Sequence, residues 1–407
     1  MRLRGEVRHR LTLSVAAVGC LAASLVSVAG TPAYAAEKGW TCASFATKDD
    51  AESAEPPATT KMPADPFEEM QISPAKQALK KNHHGLGTGV TVAVIDSGIA
   101  GVAEQDFAGK VTGEPFYHAT TVAGLITGIA PGVKLLNLPV YGTSKDDSSE
   151  EPKVSVPAVS AALDHLLRGQ HLDRLIVNMS LDLDLSAGSD ARIRQQVEKL
   201  IDRGAVVVAA TGNPGGDGPR ASPGPGADFA DQIKPAAYPG VVAVGVSLSK
   251  GAPGDLSQYA LPNSRTTVVA PTYGARSRTL GGHDCWVDQT ATSWSTAEVS
   301  GVLALIASAY PEASNTELVD RLVRTASGRP DEAGRFTGAG VVQAYAAVTR
   351  PLGPEGATGG SVKRADVAPP AADVLAGTRH DAMWWGLLGG GALILGLVLR
   401  PLLTRRK

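Results

Sequence analysis

The chain has 407 residues, with 38 Lys and Arg against 40 Asp and Glu for a net charge of −2, and only 5% of its residues are aromatic. A balance so near zero leaves no electrostatic footprint for nucleic acid, and the sequence holds no P-loop, no internal repeat and no zinc-type cysteine pair. The length exceeds what one small core needs and suits one large α/β domain with appendages.

Residues 1–36 open with Arg2, Arg4, Arg8 and Arg10, continue as an apolar run over 11–28 and end at the small residues Ala33 and Ala35. That order is expected of a cleaved secretory signal. Val18-Gly19-Cys20 offers a lipoprotein-type cleavage box as the alternative, although apolar sequence continues past Cys20. Residues 37–69, rich in Ala, Pro, Thr and acidic side chains, read as an extended arm or propeptide wrapping the domain, with Trp40 and Cys42 as its anchors.

Within the body, residues 70–350, apolar runs at 90–95, 175–177, 206–210 and 241–246 show no alternation. Strands that are apolar on both faces belong to a sheet covered on both sides by helices. Helical spacing fills the gaps at 120–129, 156–167, 191–203 and 299–309. This βαβα order predicts an α/β fold with a doubly wound, mostly parallel sheet, whose functional groups gather beyond the carboxyl ends of the strands.

Those ends carry polar residues. Asp96 directly follows the first run, in Val94-Ile95-Asp96-Ser97-Gly98, where it either caps a turn or orients a partner. His118 stands at the start of the first helical pattern, a candidate base. Asn213 closes the third run, and its amide either donates to an oxyanion or forms a turn before Pro214. Ser293 precedes the apolar helical run from Val299. A serine at a helix mouth is a cap in one reading and a nucleophile beside oxyanion-holding N–H groups in the other. With a base, an orienting carboxylate and a second oxyanion donor upstream, the second reading is preferred.

Beyond the body, residues 351–381 are rich in Gly, Pro and Ala and read as a linker. Residues 382–403 read as a transmembrane helix: 382–399 carries no charge, Trp384 and Trp385 stand at its outer edge, and Arg400, Arg405, Arg406 and Lys407 follow. The basic tail, 404–407, is then cytoplasmic and the body extracytoplasmic.

The order Asp96, His118, Asn213, Ser293 resembles that of the subtilisin-like serine proteases (subtilases), whose triad runs Asp, His, Ser along the chain. Gly128-Ile129-Ala130-Pro131-Gly132, Asn178-Met179-Ser180-Leu181 and Tyr238-Pro239-Gly240-Val241-Val242-Ala243-Val244-Gly245 are similar to three further segments of that family. Together the matches cover 88–346. The signal, the arm and the C-terminal anchor make the chain resemble the mycosins more narrowly, the membrane-anchored subtilases that accompany type VII secretion systems. The resemblance implies a subtilisin-like fold, a triad of Asp96, His118 and Ser293, Asn213 as oxyanion donor, and Ser180 and Leu181 along the substrate cleft. It implies neither metal nor cofactor. The substrate would be an exported or envelope protein or peptide, and a type VII secretion membrane complex would be the partner.

Several residues depart from the family pattern. His118-Ala119-Thr120 stands for His-Gly-Thr, Ala291 for the glycine before Thr-Ser, Ala297 for a helix proline, and Asp182 for the glycine after Ser180-Leu181. Alanine is strained only where φ is positive. These changes leave open a second reading, a pseudoprotease serving as a structural component of the secretion complex. With Cys20 removed in the signal, Cys42 and Cys285 form an even pair in an oxidising compartment; a disulfide would tie the arm close to the Ser293 loop, and two free thiols are the alternative.

Overall fold

The computed structural model describes residues 41–44, 65–111, 116–142, 153–169, 172–215, 218–328 and 334–352. The expected signal, linker, membrane span and basic tail lie outside the described residues. Among the described residues no helix is long and apolar enough to cross a membrane.

Two short helices, α1 (Pro66–Glu69) and α2 (Ile72–Lys81), precede an alternating α/β body. It runs β1 (Thr91–Asp96), α3 (Tyr117–Ile129), β2 (Lys134–Pro139), α4 (Val156–Leu167), β3 (Leu175–Met179), α5 (Ala187–Asp202), β4 (Val206–Ala210), β5 (Val242–Ser247) and β6 (Val268–Pro271). A hairpin of β7 (Arg276–Arg278) and β8 (Asp284–Trp286) leads into the long α6 (Thr292–Ala309), followed by α7 (Asn315–Arg324) and α8 (Ala344–Thr349).

Strands β1 to β6 form one parallel sheet in the order β2-β1-β3-β4-β5-β6. The mostly parallel α/β fold expected from the unalternating strands is therefore present. The pleat divides each strand between two cores: Val92 and Val94 of β1 face one, Ala93 and Ile95 the other. On the first side α2, α3, α6, α7 and α8 contribute core residues; on the second, α4 and α5 do. The chain leaves β1 for β2 on one flank and returns to β3 on the other. The switch point of the sheet thus lies at the carboxyl ends of β1 and β3, where such folds open a crevice.

Helix α6 passes under that crevice, and its residues Thr292, Trp294 and Ser295 through Ser308 are all buried. It begins at Thr292, well before the apolar run that advertises it. The early turns are polar in sequence yet buried, because their hydroxyls are satisfied within the helix or against the sheet. Thr296 Oγ1 donates to the Thr292 carbonyl at 2.7 Å, Ser300 Oγ to the Thr296 carbonyl at 2.9 Å, and Ser295 Oγ to the Ala270 carbonyl at 2.9 Å. Where α6 crosses α3, Gly301 allows the approach: a Cβ there would sit 2.9 Å from Ile129 Cβ. That close crossing sets the end of α3 against the middle of α6, and the contact of Trp294 with His118 joins the first turns of the two helices, which carry Ser293 and His118.

The N-terminal residues are fastened to the same side. Asp65 caps α1 by accepting from the Phe67 N–H at 3.0 Å, and Met70, Ile72, Ala75 and Leu79 are buried in the first core. Thr41 pairs with Trp286 of β8, and a disulfide joins Cys42 to Cys285. Residues 41–44 are thereby held at the hairpin immediately preceding the Ser293 loop.

Candidate active site

Asp96 ends β1 with its side chain fully buried at the switch point. Its carboxylate is closely surrounded by donors. His118 Nδ1 lies 2.8 Å from Oδ1 and 3.0 Å from Oδ2; Tyr141 donates its hydroxyl to Oδ1 at 2.8 Å, and the Ser97 N–H does so at 2.7 Å. Two carboxylate oxygens facing Nδ1 assign the ring proton to that nitrogen and leave Nε2 unprotonated as the acceptor. The imidazole is only 15% exposed, so its orientation is fixed by packing as well as by Asp96.

His118 is the second residue of α3, and no side chain of the preceding residue caps that helix. Ser97 does the stitching instead. Its hydroxyl donates to the Phe116 carbonyl at 3.0 Å and accepts from the Ala119 N–H at 3.1 Å, tying the helix mouth to the end of β1.

Ser293 is the second residue of α6, with Ala291 as the residue before the helix. Ser293 is therefore not the cap, and its hydroxyl stands at the helix mouth among N–H groups that lack intrahelical partners. Ser180 Oγ donates to the Ser293 carbonyl at 2.8 Å, while Asn178 Nδ2 donates to Ser180 Oγ at 3.0 Å and Ser300 Oγ donates to Asn178 Oδ1 at 3.0 Å. This chain of bonds pins the serine to the end of β3. The ring of Trp294 packs on the His118 imidazole with centroids 4.7 Å apart and planes tilted by 36°, placing the residue after Ser293 directly against the imidazole.

Asn213, beyond β4, completes the group. Its Oδ1 accepts from the Thr292 N–H at 2.9 Å and from the Thr292 hydroxyl at 3.1 Å. A main-chain N–H can only donate, so the amide is oriented with Nδ2 outward, available to an anion beside Ser293. Replacing Asn213 by Ala is expected to lower kcat by about 100–1,000-fold with a smaller change in KM, measured on a peptide substrate.

All four polar residues singled out in the sequence thus meet at one crevice. Ser180 and Leu181 follow β3 at the same crevice, and both residues are buried, at 2% and 6% exposure. The departures from the family pattern are accommodated. Ala291 has φ −152°, which any residue adopts, and Ala119 lies within α3; among the described residues the non-glycine positive-φ positions are Gln71 and His83. Ala297 continues α6 with an N–H that proline lacks. Asp182 is met by the Arg220 guanidinium. Burial pushes the Asp182 carboxyl up, and the Arg220 charge opposes that rise. The pair carries no net charge into the cleft.

Sequence reasoning missed Tyr141, Ser97 and the packing role of Trp294. Tyr141 follows Val140 at the end of β2, an edge strand absent from the predicted set; with β2 in hand, the strand-end rule finds it.

A buried carboxylate–imidazole pair beside the helix mouth that bears a serine, with a side-chain amide bonded to the same helix start, fits a serine hydrolase. The chain belongs to the subtilase family (Peptidase_S8), whose model matches residues 87–345, and it is a subtilisin-like serine endopeptidase. M-protease from Shouchella clausii is 31% identical over 67% of this chain and 67% of its own length. Mycosin-3 from Mycobacterium tuberculosis is 28% identical, over 70% of this chain and 72% of its own. Among solved structures, the MycP3 protease from the type VII (ESX-3) secretion system matches with a TM-score of 0.53 at 26% identity, covering 72% of this chain and 90% of that one. The resemblances to subtilases and to mycosins read from the sequence are both borne out.

Proposed function

We propose that the chain is an extracytoplasmic endopeptidase, anchored by residues 382–403, that cleaves exported or envelope proteins within a type VII secretion membrane complex. The observation that carries the catalytic part is the Asp96–His118 pair, with Nδ1 2.8 Å from the carboxylate, set against the helix mouth that bears Ser293.

In this mechanism Ser293 Oγ attacks the scissile carbonyl as His118 Nε2 takes its proton. Asp96 holds the imidazole in the required tautomer and stabilises the imidazolium that forms, with the Tyr141 hydroxyl fixing the carboxylate in turn. The tetrahedral oxyanion accepts from Asn213 Nδ2 and the Ser293 N–H. Collapse expels the amine, which receives the proton from His118, and a water activated by the same imidazole releases the acyl group from Ser293. The backbone at Ser180 and Leu181 pairs with the extended substrate. The secretion partner is supported by the likeness to mycosin-3 and to the MycP3 protease. Membrane attachment is supported by the uncharged run and basic tail of the sequence.

The test is complementation of a deletion in the organism that carries the chain, using wild type and Ser293→Ala. We expect wild type alone to restore the N-termini of processed exported proteins. Identical processing in both strains would contradict the endopeptidase role. Export that depends on the chain but not on Ser293 would assign it a structural part in the complex.

A further inference from the structure

Beside the Asn213 side of the crevice lies a pocket of about 330 Å³ whose walls include Asn213, Ala291, Tyr259, Tyr273 and Asp288. Two of these belong to the cleft itself: Asn213 is the amide held by Thr292, and Ala291 immediately precedes α6. A substrate side chain entering the pocket therefore comes from a residue close to the scissile bond.

The chemistry of the pocket is one-sided. Among the described residues Asp288 is the only acidic one lining it, and no described Lys, Arg or His does. Among the described residues nothing engages the Asp288 carboxylate by hydrogen bond or ion pair. Tyr259 and Tyr273 supply aromatic walls, and Tyr273 is held edge-on by Trp286 at 6.1 Å and 82°, next to the Cys42–Cys285 bridge. A carboxylate with aromatic faces in a concave site attracts a cationic side chain by charge and by cation–π contact. Asp182, near the cleft, is already paired with Arg220, whereas Asp288 has no such partner among the described residues.

We propose that this pocket is a specificity site for a Lys or Arg side chain of the substrate, with Asp288 as the counter-charge and Tyr259 and Tyr273 as its flanks. The inference rests on the endopeptidase reading, and its test separates the two. The full-length protein is given internally quenched octapeptides in which Arg, norleucine or Glu replaces Ala at each position near the scissile bond in turn. In parallel, fluorescein-labelled forms of the same peptides are titrated into full-length Ser293→Ala protein, where binding needs no turnover.

At one position Arg is expected to exceed norleucine about tenfold in kcat/KM and in affinity, with Glu the poorest. Asp288→Asn should bring the Arg-to-norleucine ratio close to one, and Asp288→Lys should shift the preference to Glu. Equal handling of Arg and norleucine at every position overturns the proposal, as does a ratio that survives Asp288→Asn. Cleavage without charge preference removes the pocket and leaves the endopeptidase reading. Arg-selective binding to Ser293→Ala, with no peptide cleaved by wild type, does the reverse.

Discussion

Asp96→Asn is expected to lower kcat by about 10,000-fold while the protein remains folded. The wild-type carboxylate only accepts, and His118 Nδ1 is 2.8 Å from one oxygen and 3.0 Å from the other. An asparagine amide brings a donor into the same place. The Tyr141 hydroxyl already donates to Oδ1 at 2.8 Å, which favours placing the carbonyl oxygen of the new side chain toward Tyr141 and its NH2 toward the imidazole. The ring then gives up its Nδ1 proton and carries it on Nε2, where a base is needed. The acylation rate with an activated ester reports the loss, and a circular dichroism melt checks that the fold is intact. A loss below tenfold in folded protein would mean that the pair does not set the tautomer.

Glu298 gives the second large effect, on stability rather than rate. It lies in the second turn of α6 with 0% exposure, and neither carboxyl oxygen has a hydrogen-bond partner among the described residues. Burial pushes this carboxyl well above its ordinary 4.5, and the nearby Glu69 and Asp65 carboxylates push in the same direction. The folded protein therefore retains a proton that the unfolded chain releases above about 4.5. Its stabilising contribution is complete below that pH and is lost as pH rises toward the folded value, by about 1.4 kcal/mol per pH unit.

Glu298→Gln is neutral at every pH and leaves a side chain of the same shape. Wild type and variant should match near pH 4, and the variant should become the more stable by about 1.4 kcal/mol for each unit above the unfolded value. Urea midpoints of both proteins at several pH values give that difference, in which the other titrating groups cancel. A constant gap between the two curves would contradict a proton held on Glu298.

Much of this arrangement is legible in the sequence, for identifiable reasons. Strands β1, β3, β4 and β5 are buried on both faces, so their apolar runs are unbroken. β2 lies at the sheet edge, with Lys134 exposed and Leu135 and Leu136 half-buried, and β6 spans only Val268–Pro271. Neither produces a long apolar run. The start of α6 is hidden because buried Thr292, Ser295, Thr296 and Ser300 look like surface residues until their hydroxyls are seen to be bonded. Asp96, His118, Asn213 and Ser293 are legible because strand ends and helix mouths concentrate chemistry. Tyr141 depends on an unseen strand. The partner of Asp182 is Arg220, which lies across β4 and its loop, a separation that local pattern does not bridge.

The most direct test of the catalytic account is labelling of the full-length protein with a fluorophosphonate probe, which reacts with activated serines. Wild type should be labelled, and labelling should vanish in Ser293→Ala and in His118→Ala. Folded wild-type protein that stays unlabelled, or a Ser293→Ala protein that still takes the label, would contradict an Asp96–His118–Ser293 triad.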